Sequence, residues 1–136
     1  MNSFSWNDKH SVGLPEIDAD HCALFRIAEQ LYENIENGTA QDKLNGFLAR
    51  LDSYTRFHFE SEENLMRRTH FPGYAQHRLE HEGFAARLSY LKRFARSGNT
   101  DAAKALMDFL QYWIEQHTCR EDHRMVEHSR RANRSL

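Results

Sequence analysis

Apolar residues recur at helical spacing in four stretches of the chain. Leu24, Ile27, Ala28, Leu31 and Ile35 trace one face, and Phe25 and Tyr32 widen it. This three-and-four rhythm predicts a helix over about 18–37, with Asp18 as N-cap and Asn37-Gly38 as the stop. A second helix is predicted over about 40–67. Its broad face runs through Leu44, Phe47, Leu48, Leu51, Tyr54, Thr55, His58, Glu62 and Leu65. The segment from His70 to Gly73 contains Pro72 and reads as a turn. A third helix follows over about 74–96, with Leu88, Leu91 and Phe94 or Ala95 inward. Ser97-Gly98-Asn99 breaks it. Thr100 or Asp101 then caps a fourth helix, over about 100–120, through Leu106, Phe109, Leu110, Trp113, Ile114 and His117.

The ends differ from the middle. Residues 1–17 carry Phe4, Trp6, Val12, Leu14 and Ile17, too apolar for a disordered arm, while Gly13 and Pro15 argue against a helix there. They are expected to lie irregularly across one end or side of the fold. Arg124, Arg130, Arg131 and Arg134 mark a polar end, read as a short helix that frays. Four helices of similar length with short connections predict an all-α, up-down-up-down antiparallel four-helix bundle. An irregular N-terminal arm and a short C-terminal segment complete it, and residues 1–136 are expected to form a single domain.

Composition narrows the function classes. With 136 residues, 40% apolar and 28% charged, the chain has enough material for one real core. Eighteen basic against twenty acidic residues leave a net charge of -2, which favours neither nucleic acid nor an anionic membrane. No apolar run nears the roughly 20 residues of a membrane span. Residues 1–9 lack the pattern of a secretory leader. Cys22 and Cys119 are the only cysteines, so a reducing, cytoplasmic setting is expected. Histidine is the outlier, with nine copies.

Five of those histidines fall into a pattern. His58 and Glu62 are four apart on the second predicted helix, and His77 and His81 are four apart on the third. Side chains at that spacing project from one face, one turn above the other. His21 lies near the start of the first helix, and His117 and Asp122 lie near the end of the fourth. In an up-down bundle these positions share one end. One spacing is awkward. His117 and Asp122 are five apart, a rotation of about 140° beyond a full α-helical turn. Asp122 must approach from the flank, or the last turn must loosen.

Such a set points to a pair of metal ions. Five imidazoles, two bridging carboxylates and one bridging solvent oxygen fill all but one position of two six-coordinate metals. Mixed imidazole and carboxylate donors suit iron, whereas zinc favours four ligands and magnesium an oxygen shell. The open position is a place for dioxygen. Cys22 and Cys119 sit one and two residues from candidate ligands, offsets that turn them away from the metal face and make them filler. His10, His70, His123 and His128 read as peripheral. Asp20, Glu63, Glu80 and Glu82 are candidates for orienting the imidazoles from behind, against the simpler reading of a solvated helix face.

The chain resembles the bacterial hemerythrins, di-iron bundle proteins that bind dioxygen. The stretches that carry the resemblance are Val12–His21, His58–Met66, His77–His81 and Trp113–His117 with Asp122. The resemblance implies one iron held by His77, His81 and His117, and another by His21 and His58. It implies that Glu62 and Asp122 bridge both, with an oxo or hydroxo oxygen as third bridge. It also makes the five-residue spacing normal, and gives the open position to the two-histidine iron. Trp113 and Ile114 are expected to wall an oxygen pocket with Leu24, Phe25 or Phe59. Two positions depart from the family pattern: Asp20, where the family usually has Gln, and Thr118, where it usually has an apolar residue. A hydroxyl there is expected to admit water or bond an anion.

The implied function is reversible dioxygen binding, for carriage, storage or delivery, without catalysis. Small anions such as azide or chloride would compete at the open iron. No nucleic acid or membrane is expected as partner. The alternatives are a di-iron oxidase, peroxidase or nitric-oxide-reducing enzyme, or a redox sensor acting through a separate protein.

Overall fold

The computed structural model describes residue 6, residues 8–98 and residues 101–134. Phe4, Asn99 and Thr100, named above, lie outside them. A short 3₁₀ turn at Asp8–His10 precedes α1 (Pro15–Glu36), α2 (Ala40–Arg68), α3 (Tyr74–Arg96) and α4 (Ala102–Trp113). A π-helical segment, Ile114–Glu121, then leads without a break into α5 (Asp122–Arg134). Helix α1 packs on α2 and α4, α2 on α3, and α3 on α4. That is the neighbour pattern of an up-down-up-down four-helix bundle, with the α4–α5 rod as its fourth member.

Helix α1 starts at Pro15, not at Asp18. Proline at the first helical position loses nothing, because that N–H has no partner inside the helix anyway. Asp18 instead folds back over the approach. Its carboxylate accepts the Val12 N–H at 2.8 Å and the Ser11 hydroxyl at 2.5 Å. The predicted stop holds: Gly38 sits at φ +75°, the left-handed conformation that glycine tolerates.

The short helix expected at the C-terminal end is present as α5, and the residues beyond it lie outside the described ones. Helix α5 is anchored because Met125 and Val126 are buried against Val12, Ile17 and Met66 in a small second core. Arg124 and Arg131 are exposed on its other faces, and Arg130 is half-buried. Arg130 donates to the Val12 carbonyl at 3.2 Å and so ties α5 to the arm. Gly13, at φ +80°, lies where a Cβ would run into that guanidinium.

The main core fills the end of the bundle away from these contacts, through Leu31, Leu44, Leu48, Leu51, Leu88, Leu91, Leu106 and Leu110. Two stripes shift by one position or one turn. Met66 is fully buried where Leu65 was expected, and Phe84 extends the α3 face. No helix is long and apolar enough to cross a membrane among the described residues.

Candidate metal centre

All seven predicted side chains meet inside the bundle, each at most 3% exposed. His21 comes from α1, His58 and Glu62 from α2, His77 and His81 from α3. His117 lies in the π segment, and Asp122 opens α5. Their ligand atoms form two overlapping groups. One holds Glu62, His77, His81, His117 and Asp122, and the other holds His21, His58, Glu62 and Asp122.

The two carboxylates draw the division. Glu62 presents Oε1 to the Nε2 atoms of His81 (2.9 Å), His77 (3.3 Å) and His117 (3.9 Å). It presents Oε2 to those of His58 (2.9 Å) and His21 (3.7 Å). Asp122 repeats the arrangement. Its Oδ1 faces His77 at 2.9 Å and His117 at 3.1 Å, and its Oδ2 faces His21 at 2.8 Å and His58 at 4.0 Å. Each carboxylate thus spans a three-imidazole side and a two-imidazole side.

The π segment is what brings Asp122 into this set. In an α-helix the i→i−4 bond stacks residues four apart. Widening the ring to i→i+5 brings residues five apart onto a common face. The loosened turn, one of the two ways out of the awkward spacing, is the one adopted.

Aromatic rings lie on three of the imidazoles. Phe59 lies flat on His81, with centroids 3.9 Å apart and planes 4° apart. Trp113 stacks on His117 at 4.0 Å and 14°. Tyr54 stacks on His58 at 5.4 Å and 20°. Leu24, Ile114 and Thr118 are buried within three residues of a candidate ligand in sequence, Leu24 and Ile114 in the same cluster as Phe59 and Trp113. Phe25 is buried too, but its ring neighbours are Trp6 and His10, so it packs under the arm. Tyr54 is the residue that sequence reasoning placed only in the core. It precedes His58 by four, just as Trp113 precedes His117, and that shared spacing was a usable signal.

Behind the imidazoles stand three of the four proposed orienting carboxylates. His58 Nδ1 donates to Asp20 Oδ2 at 2.9 Å, and His81 Nδ1 to Glu63 Oε2 at 3.0 Å. Glu80 lies 3.5 Å from His117 Nδ1. Glu82 does not take part; it is exposed and pairs with Arg78. A proton held on Nδ1 leaves the Nε2 lone pair facing inward. His10, His70, His123 and His128 stay outside both groups, as do Cys22 and Cys119, which are free and half-buried.

The electrostatics are those of a site that wants cations. Burial alone would lower the imidazole pKa values, but the contacts with Asp122 and Glu62 reverse this. His77 is raised to about 9 and His117 to about 11, and His58 lies well above its usual value. Burial would push Glu62 and Asp122 up; the imidazoles around them hold both well below the usual carboxylate range. Burial also pushes the Tyr54 phenol well above its ordinary value, so it keeps its proton.

The donor set fits metal better than it fits internal hydrogen bonding. Asp122 Oδ1 has two imidazole nitrogens within 3.1 Å and yet counts as unpartnered, because neither is aligned to donate to it. Glu62 Oε2 is unpartnered in the same way beside His58. His81 and His117 face each other with Nε2 atoms 3.2 Å apart. Buried polar atoms left unbonded cost roughly 1–3 kcal/mol each. Cations between the nitrogens and the oxygens would satisfy them together.

The comparisons with known proteins agree. The model of the hemerythrin HHE cation binding domain matches residues 12–128. A bacteriohemerythrin of Clostridium acetobutylicum is 27% identical over 128 residues, covering 91% of this chain and 99% of that protein. A myohemerythrin of Riftia pachyptila is 28% identical over 114 residues, covering 84% and 83%. A bacteriohemerythrin of Pseudomonas aeruginosa is 26% identical over 137 residues, covering 100% and 88%.

Proposed function

The chain belongs to the hemerythrin family, and on that premise we propose that residues 1–136 act as one domain that binds dioxygen reversibly, as a carrier, store or delivery protein. The observation that carries the proposal is the paired split. Each of two buried carboxylates offers one oxygen to His77, His81 and His117 and its other oxygen to His21 and His58. A single ion would need one focus; this set has two, with shared carboxylates between them.

In this reading one iron is held by His77, His81 and His117, the other by His21 and His58. Glu62 and Asp122 bridge them, with an oxo or hydroxo oxygen between. A non-haem iron pair supplies the electrons that make dioxygen binding reversible. The protein's own part is geometric and dielectric. Asp20 and Glu63 keep protons on the outer ring nitrogens of His58 and His81 and so fix which nitrogen faces inward, and the Glu80 carboxylate lies 3.5 Å from the outer nitrogen of His117. Burial of all seven groups keeps bulk water from the site. Phe59 and Trp113 hold His81 and His117 flat against the core, and Leu24, Ile114 and Thr118 complete the pocket wall. Small anions such as azide or chloride fit the same position on the two-imidazole side. The free thiols of Cys22 and Cys119 support a reducing, cytoplasmic setting.

The test is anaerobic reduction of the iron-loaded protein followed by air, with iron quantified and visible absorption recorded. Two irons per chain and a band change that reverses when oxygen is removed are expected. One iron per chain, or a single irreversible oxidation, would overturn the proposal; the second result would favour a di-iron oxidase.

A further inference from the structure

Among the described residues five buried side-chain polar atoms lack a hydrogen-bond partner: His21 Nδ1, Glu62 Oε2, His117 Nδ1, Asp122 Oδ1 and Tyr54 Oη. Four belong to the candidate ligands. Tyr54 Oη is the exception. Buried hydroxyls are almost always bonded, so a lone one asks what it is kept for.

Its position narrows the answer. Tyr54 lies one helical turn before His58 on α2 and stacks on that ring. It therefore stands on the two-imidazole side, where the protein supplies the fewest donors. Of the three rings stacked on candidate ligands, Phe59, Trp113 and Tyr54, only Tyr54 carries a hydroxyl. The charges of His58, Glu62, Asp20 and Asp122 act on that hydroxyl, which places it within electrostatic reach of the centre. A phenol that keeps its proton can donate one hydrogen bond, and the acceptor it suits best is a small group bearing negative charge.

We propose that the Tyr54 hydroxyl is the hydrogen-bond donor of the ligand pocket, holding a small anion bound on the His21–His58 side. This rests on the di-iron reading above. It makes Tyr54 a determinant of which ligands the site prefers: anions, or molecules that gain negative charge on binding, over neutral ones.

The test compares the parent with Tyr54→Phe, using azide as the probe. Iron content is measured first. A parent that takes up no iron pair overturns the functional reading, and this inference with it. With both proteins carrying two irons, azide titration followed by visible absorption is expected to show affinity about tenfold weaker in the variant. The azide infrared stretch of the parent is expected to shift between H₂O and D₂O, and that of the variant not to shift. Equal affinities, or an identical isotope response, would overturn the inference and leave the di-iron reading intact. A metal-free readout separates this role from ordinary packing. If the hydroxyl has no partner inside the protein, the metal-free variant melts at the same temperature as the parent or higher. A lower melting temperature would show that the hydroxyl is already bonded within the fold, and would also overturn the inference.

Discussion

His117 Nε2 lies 3.1 Å from Asp122 Oδ1, although the two residues are five apart on one helical rod. A regular α-helix would turn them about 140° away from each other. The π segment at Ile114–Glu121 removes that mismatch. Helical turns of this wider kind are rare and cluster at functional sites, so the segment is expected to depend on what its side chains hold. Backbone hydrogen exchange tests this. Iron loading is expected to slow exchange of the amides between Ile114 and Glu121 by about tenfold or more, while those of α4 change little. Equal protection of the segment with and without metal would show that it is set by packing alone.

The site was more legible in the sequence than the backbone that builds it. Candidate ligand residues betray themselves by chemistry and spacing: His58 with Glu62 and His77 with His81 need only an α-helix to share a face. The five-residue gap signalled an irregular turn but not its kind, because a loosened helix and a flank approach have the same sequence. The start of α1 was misplaced because Pro15 reads as a breaker until its position relative to the helix start is known. The packing of α5 was hidden for a different reason. Met125 and Val126 are too few to form a stripe, and their burial depends on Val12, Ile17 and Met66, which are distant in sequence. Tyr54 read as core because a stacked phenol and a packed one look alike until the hydroxyl's surroundings are known.

The carboxylates behind the imidazoles are expected to set metal affinity unequally. Glu63, with its side chain 20% exposed, is better shielded than Asp20, at 40%. A less solvated charge orients its partner more strongly. Glu63→Ala is therefore expected to weaken iron retention by about 10- to 100-fold, and Asp20→Ala by less. Competition with a chelator measures both. The two variants should also differ in which iron leaves first: Glu63→Ala loosens the side of His81, and Asp20→Ala the side of His58. Identical release profiles would contradict the assigned roles.

Thr118 is buried within the π segment, directly after His117. In the proposed pocket wall its hydroxyl would give water a foothold that an alkyl group would deny. Thr118→Ile is expected to slow autoxidation of the oxygenated protein severalfold at constant oxygen pressure. Decay of the visible band of the oxygenated form gives the rate. A parent and variant with equal decay rates would place the hydroxyl outside the pocket.

The charge balance of the centre fixes how the metal-free protein answers to pH. His77 and His117 have folded-state pKa values of about 9 and about 11 against an ordinary 6.5, and His58 is raised as well. Groups raised on folding stabilise the fold fully below their unfolded value, and that contribution drains away as pH climbs through the folded value. Glu62 and Asp122 are shifted the other way, from ordinary values of 4.5 and 3.8. Their contribution is present above those values and is lost as pH falls through the depressed folded ones. The metal-free protein is thus expected to melt highest at about pH 5 to 6 and progressively lower toward pH 9 and beyond. Iron loading inverts the alkaline limb, because cations replace the protons on the imidazoles. Loading at pH 7 should release protons, which calorimetry in buffers of different ionisation enthalpy would register. A metal-free melting temperature that rises between pH 7 and 9, or iron uptake without proton release, would mean that the imidazoles are neutral before metal arrives.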